Sequence, residues 1–502
     1  MFPGKSMRFV CIAILAISCL AFLACNQSSN AGQTAAATAD GGKIPITTKS
    51  EEAKKEFLEG RDLAEKLRAQ DSVEHFDKAI ALDPDFASAE MSRANSAPTA
   101  KDFFEHLNKA VALSSKASEG ERLLILANEA GANGQVVKQK EYLDKLVALH
   151  PSDERALFNL GNYYFGQQEY EQAIAHYKKA TELAPNYSPA YNILGYSYRQ
   201  QGNYQDAEQA FKKYIELIPN DPNPYDSYAE LLLKMGRFED SIAQYRKALS
   251  MDSHFVPSHF GISADLMYLG KPKDASAELE KMAGQARNDG ELRTAYFGMA
   301  VVDVDSGKLD QAVHHMDQEF AVAEKKNDAA AMAADLQAKG NIIAEMQRYD
   351  AAQQQFDRSL QLVEGSNLSQ AIKDNAKLQH HFNLAVLAIG KKDYAAAKSH
   401  AQEYRAGADA SKNPGQLKLA HELAGRIALA EKDYDTAITE LDQSNEQDPR
   451  NLYRLSQAFQ AKGDSARAQD HRKKAAEFNS LPQMNYAFIR AKAQKAVAAK
   501  KS

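Results

Sequence analysis

The 502-residue chain contains no tryptophan, and its only cysteines, Cys11, Cys19 and Cys25, lie at the extreme N-terminus. A chain cut ahead of Cys25 keeps a single thiol, which excludes an internal disulfide, and a thiol-free body suits an oxidising compartment. Charge of one sign is also missing: the formal net charge is -6, with acidic and basic residues interspersed. That excludes the broad basic field that holds nucleic-acid phosphates. The long apolar run, Phe9 to Leu23, is shorter than the roughly 20 residues a membrane-crossing helix needs. Catalytic signatures are absent as well. Gly4-Lys5-Ser6 lacks the upstream glycine of a phosphate loop, and there is no serine nucleophile elbow. His421-Glu422-Leu423-Ala424-Gly425 begins like a zinc-protease helix but has glycine where the second histidine is required. The pairs His314-His315 and His380-His381 sit on expected helices, where adjacent side chains point about 100° apart rather than at one ion. Asp303, Asp305 and Gly307 are misspaced for a calcium loop and are expected in an interhelical turn. The expectation is a non-enzyme with no metal, cofactor or small-molecule substrate.

What is present begins with an address. Lys5 and Arg8 precede the apolar run, as in a secretory signal, which is complete from Met7. The run ends Phe22-Leu23-Ala24-Cys25, which resembles the lipobox of bacterial lipoproteins, with Phe22 in place of the usual leucine. The resemblance implies a lipidated Cys25 as the first mature residue, anchored by two or three acyl chains at about 0.8 kcal/mol per buried methylene. An ordinary secretory signal would instead leave Cys25 as a thiol. Asn26, where an aspartate is associated with inner-membrane retention, tilts the expected location toward the outer membrane, with the body facing the periplasm or exterior. The stretch from Asn26 to Ser50 is rich in Ser, Ala, Gly and Thr and is expected to be a flexible tether.

From Glu154 the chain repeats with a period of 34. Leu157, Tyr191 and Tyr225 form one column; Leu160, Leu194 and Tyr228 a second; Tyr164, Tyr198 and Leu232 a third. Spacings of three and four put these columns on one helical face. Gly161, Gly195 and Ala229 keep a small gap among them, and turns follow at Gln168, Gly202 and Gly236. A second helix opens with Tyr170, Tyr204 and Phe238, with a small column of Ala173, Ala207 and Ser241 and a large one of Tyr177, Phe211 and Tyr245. Small opposite large is how facing helices interdigitate. Pro185 and Pro219 then stop the second helix. These columns resemble the tetratricopeptide repeat family. The family's frequent first-column tryptophan is missing, its place taken by leucine and tyrosine.

The resemblance implies an all-α, right-handed superhelical solenoid of helix-turn-helix hairpins. Weaker matches on both sides extend it to about twelve hairpins between Glu51 and Leu481, with Asn95 to Ser118 degenerate because Pro98 shortens a helix. Gly284 and Gly290 interrupt the pattern, so two arrays are expected, residues 51–282 and 291–481. They follow a signal (1–24) and the lipidated cysteine and linker (25–50). A basic terminal segment (482–502) is expected to cap the last hairpin with Met484, Tyr486, Phe488 and Ile489.

Tetratricopeptide arrays usually bind peptides or helices on the concave face, lined by the first helix of each hairpin. On that implication, helical spacing selects Phe158, Asn162 and Phe165, then Asn192, Tyr196 and Arg199, then Asp226, Glu230 and Leu233. Asp226 and Glu230 contradict the family's cationic clamp for a C-terminal carboxylate. The expected function is a membrane-anchored scaffold that binds partner proteins or peptides, with a fixed structural subunit of an envelope assembly or secretion machine as the alternative.

Overall fold

A computed structural model describes residues 42–498. Those residues form 26 α-helices and no strand. The first 24 pair into twelve antiparallel hairpins, divided between two compact units at Pro219/Asn220. The first unit holds α1 (Glu51–Glu65) and α2 (Ala69–Leu82), α3 (Ala87–Asn95) and α4 (Ala100–Leu113), α5 (Glu119–Ala132) and α6 (Val136–Leu149), α7 (Glu154–Gly166) and α8 (Tyr170–Leu183), and α9 (Ser188–Gln200) and α10 (Tyr204–Leu217). The second holds α11 (Pro222–Lys234) and α12 (Phe238–Met251), α13 (Val256–Tyr268) and α14 (Pro272–Gly284), α15 (Asp289–Asp305) and α16 (Leu309–Lys325), and α17 (Ala329–Glu345) and α18 (Tyr349–Glu364). It continues with α19 (Gln370–Lys391) and α20 (Tyr394–Ser411), α21 (Pro414–Ala430) and α22 (Tyr434–Asp442), and α23 (Pro449–Ala461) and α24 (Ser465–Ala476). The short helices α25 (Met484–Ala487) and α26 (Arg490–Ala498) close the described chain.

The columns fold as their sizes dictate. Ala173, Ala207 and Ser241 are fully buried, as are Tyr177, Phe211 and Tyr245. Gly161 lies under the Tyr177 ring and Gly195 under the Phe211 ring, where a Cβ would come within 2.6 and 2.8 Å of ring carbons. No side chain larger than hydrogen fits without moving the ring. Gly195→Ala should therefore lower unfolding stability by about 1–3 kcal/mol in urea titrations. The A-to-B turns use one left-handed residue each: Gly202 and Gly236 at φ 75° and 76°, and Gln168 at 66°. Helix starts are capped by side chains, Asp153 accepting from the Arg155 and Ala156 amides and Ser118 forming a capping box with Glu121.

Three expectations change. The first concerns Gly284–Gly290, which is not where the compact units divide. Stacking continues through it, with Gly298 of α15 seated against Leu279 and Phe260 at 2.9 Å from where its Cβ would lie. The repeat weakens there because the helices lengthen: α7 to α12 run 13–14 residues, whereas α15 to α21 run 16–22. Extra turns carry the columns out of a 34-residue register while the hairpins persist.

The second change is in the tether. Its last residues, 42–50, lie extended along the first unit rather than free. The Ile44 amide donates to Asp153 (2.8 Å), the Thr47 amide to Glu121 (3.0 Å), and Thr48 Oγ1 and the Lys49 amide to Asp83 (2.6 and 3.1 Å). Ile44 and Ile46 pack against separate apolar clusters between hairpins. Cys25, the signal and the rest of the tether lie outside the described residues. Among the described residues no helix is long and apolar enough to cross a membrane.

The third change is at the C-terminus. After α24 the chain does not simply cover the last hairpin. It turns back onto first helices of the second unit, where Met484, Tyr486, Phe488 and Ile489 join the cluster that contains Val304, Ile342 and Leu452.

Candidate functional site

In the first unit the expected face is built by α7 and α9. The Tyr177 hydroxyl donates to Asn162 Oδ1 at 2.8 Å, and Phe158 sits between Tyr177 and Tyr187 with ring centroids 5.7 and 5.5 Å away. Phe165 meets Tyr170 edge-on at 5.5 Å. On α9, Tyr196 is edge-on to Phe211 at 5.2 Å and carries the Arg199 guanidinium over its ring at 4.6 Å. Phe158, Asn162, Asn192 and Tyr196 have little exposed area, while Phe165 and Arg199 are half-buried. In the second unit Asp226, Glu230 and Leu233 lie buried on α11, with Asp226 Oδ1 accepting from Ser258 Oγ at 2.7 Å.

Two asparagines on this face keep unused hydrogen-bonding capacity. Asn162 Nδ2 and Asn192 Oδ1 have no partner among the described residues. A buried amide atom without a partner costs about 1–3 kcal/mol.

Next to this row lies a cluster that sequence reasoning missed. Arg155 at the start of α7 donates to both oxygens of Glu65 on α1 (2.7 and 3.0 Å) and to Glu154 (2.6 Å), and lies 5.1 Å above the Tyr187 ring. Burial alone would lower the guanidinium pKa, but Glu65, Tyr187 and Glu154 together more than compensate, so the group stays charged. Only the fold brings residues 90 positions apart together.

The histidines resolve as interhelical contacts. His421 Nδ1 pairs with Glu440 at 2.7 Å, and His380 Nε2 with Asp357 at 3.2 Å, while His381 turns instead to His400. Asp303 and Asp305 close the last turn of α15 rather than the turn itself, which Gly307 makes with φ 74°. Asp303 bonds His315 Nε2 at 3.3 Å and holds that imidazole above its usual range. On the surface, Glu56, Glu59 and His75 gather three ligand-type side chains, His75 Nδ1 being 2.8 Å from Glu56 and 3.5 Å from Glu59.

With hairpins and columns in place, comparison with known proteins decides the repeat type. Family models described as tetratricopeptide repeat match residues 152–220 and 223–255. Those segments are tetratricopeptide repeats. Such repeats generally mediate protein–protein interactions, and their fold is typically a non-enzymatic scaffold. No curated protein matches the chain. Among solved structures, a tetratricopeptide repeat protein from Parabacteroides merdae ATCC 43184 is 15% identical, with 57% of this chain and 99% of that one covered and a TM-score of 0.35. MamA 41-end from Desulfovibrio magneticus RS-1 is 17% identical over 33% of this chain and 93% of its own, TM-score 0.28. YrrB, described as a TPR protein with an unusual peptide-binding site, is 19% identical over 36% of this chain and 91% of its own, TM-score 0.25. Outside residues 152–255, the described residues form further helical hairpins.

Proposed function

We propose that this chain is a protein-interaction scaffold, held on a bacterial envelope membrane through lipidated Cys25, that binds partner proteins or peptides along the first helices of its repeats. The observation that carries the reading is the row of Asn162, Asn192, Tyr196 and Arg199 on α7 and α9. It places the half-buried Arg199 guanidinium over the Tyr196 ring, on helices that also carry the amide side chains of Asn162 and Asn192. Asparagine, tyrosine and arginine suit recognition because they pair with peptide backbone and bury area at low entropic cost. Phe158, Phe165, Asp226, Glu230 and Leu233 complete the candidate surface.

The test is partner capture from native membranes in mild detergent. Arg199→Glu with Asn192→Ala should cut partner recovery at least tenfold, corresponding to about 1.4 kcal/mol or more, while helicity is retained. An unchanged partner set sinks the interaction reading. Separately, Cys25→Ser should release the protein from the membrane fraction with the mass of an unlipidated chain. A variant that sediments as before removes the anchor.

A further inference from the structure

A row of first-helix ends in the second unit is already covered by a segment of the chain itself. Lys234 at the end of α11 donates to the Phe478 carbonyl and lies 4.2 Å from the centre of the Phe478 ring. The first helix of the next hairpin, α13, supplies Tyr268, whose hydroxyl donates to the Ser480 carbonyl and whose ring meets Tyr486 edge-on at 5.7 Å. Three carboxylates on first helices or their caps then receive the segment's polar groups. Asp305 takes both guanidinium arms of Arg490, Glu345 pairs with Lys492, and Asp448 accepts from Asn485 at 2.9 Å.

This is the chemistry of peptide recognition carried out within one chain. The occupying segment is short, broken into two helices by Phe488–Ile489, and joined to α24 through Phe478–Gln483, where Asn479 takes a left-handed φ of 37°. It buries Tyr486, Phe488 and Ile489 on one side and offers cations on the other. The surface that receives it is apolar at its floor and acidic at three points, so its preference is set: it favours an amphipathic helical segment with basic residues.

We propose that this surface along the first-helix ends of the second unit is a docking groove for a basic amphipathic helical segment of a partner protein, closed in the free chain by residues 478–492, which occupy it as a mimic. The partner must displace that strap, so its apparent affinity falls by the fraction of chains in which the groove is open. The inference rests on the scaffold reading but concerns a surface separate from Asn192 and Arg199. Loss of partner capture through those residues leaves it standing.

The experiment uses the full chain. Arg490→Glu with Lys492→Glu sets like charges against Asp305 and Glu345 and loosens the strap. A fluorescent synthetic peptide of residues 477–498 should then bind saturably and at least tenfold tighter than it binds the unaltered chain, and the same peptide carrying Arg490→Glu should not bind. Equal binding to both chains overturns the proposal, as does no binding to a variant that keeps its helical circular dichroism. If the variant loses its fold, amide hydrogen exchange on the unaltered chain decides. Amides of 484–497 should exchange through local opening, at least a hundredfold faster than those of Asp289–Asp305. Exchange only together with α15 would make the strap a permanent part of the core and end the idea.

Discussion

Replacing Arg293 with methionine should destabilise the second unit by about 3–5 kcal/mol, because the change strands two buried carboxyls. Arg293 on α15 donates to Asp335 of α17 through both arms, at 2.7 and 2.8 Å, and to Glu319 of α16 at 3.3 Å. All three side chains are nearly out of contact with water, with 16%, 3% and 7% of their areas exposed. Burial raises the pKa of both carboxyls, and Asp335 raises Glu319 further, while the Arg293 guanidinium opposes the rise at both. Without the guanidinium, Asp335 must either stay charged in an apolar setting or take up a proton that it lacks in the unfolded chain at neutral pH. The loss should therefore be small near pH 4 and grow as pH rises. Urea melts followed by circular dichroism at pH 4.5 and 7.5 measure it. Asp335→Asn combined with Arg293→Met should recover most of the loss, since a buried cation–carboxylate pair is costly to break and far less costly to replace whole. A loss independent of pH would mean that packing, not the stranded charge, sets the cost.

The second large effect has the opposite sign. Asp265 of α13 is fully buried, and neither carboxyl oxygen accepts a hydrogen bond among the described residues. Its neighbour Ser241 donates its own proton to the Ala229 carbonyl at 2.8 Å and so offers Asp265 only a lone pair. Burial pushes the Asp265 pKa up to about 8, with Glu239 adding to the rise. A carboxyl that binds its proton more tightly when folded costs stability as pH climbs from its unfolded value near 4, and the cost levels off above about 8. Four units correspond to roughly 5 kcal/mol at most, and relaxation around the site reduces that. Asp265→Asn keeps a donor for Ser241 and removes the ionisation. It should stabilise the second unit by about 2–4 kcal/mol at pH 8.5 and by less than about 1 kcal/mol at pH 4.5. Parallel denaturation curves whose midpoints do not diverge with pH would show that Asp265 is ionised at no cost in the fold.

Such local losses matter here because each hairpin of a repeat array buries its apolar stripe only against its neighbours. A change at α15–α17 or at α13 alters the interfaces around it, weakening them in the first case and strengthening them in the second, and leaves distant hairpins in the same unit as they were. Both variants should therefore broaden the second unit's unfolding transition as well as shift it. The two sites also sit near the groove that residues 478–492 fill, since Asp305 belongs to the helix that carries Arg293, and Tyr268 to the helix that carries Asp265. Peptide binding to the strap-loosened chain therefore needs to be read on proteins without these substitutions.

The hairpins of this protein, their small and large columns and their turns were legible in the amino-acid sequence because all of them are local. Gly195 and Phe211 lie sixteen positions apart, and a 34-residue register repeated three times leaves little freedom in how they meet. The later hairpins were legible as elements but not in register, since helices such as Gln370–Lys391 outgrow the period. The expected binding row could be placed on the first helices by helical arithmetic, yet its neighbours could not be foreseen. Glu65 beside Arg155, Asp305 beside Arg490 and Asp153 beside Ile44 are 90, 185 and 109 residues apart. Where the terminal segments lie was decided by tertiary structure alone. Their composition specifies an amphipathic terminal helix and a flexible tether, but which acidic group or apolar gap each one meets depends on the stacking of many intervening hairpins, and no short-range pattern records that sum.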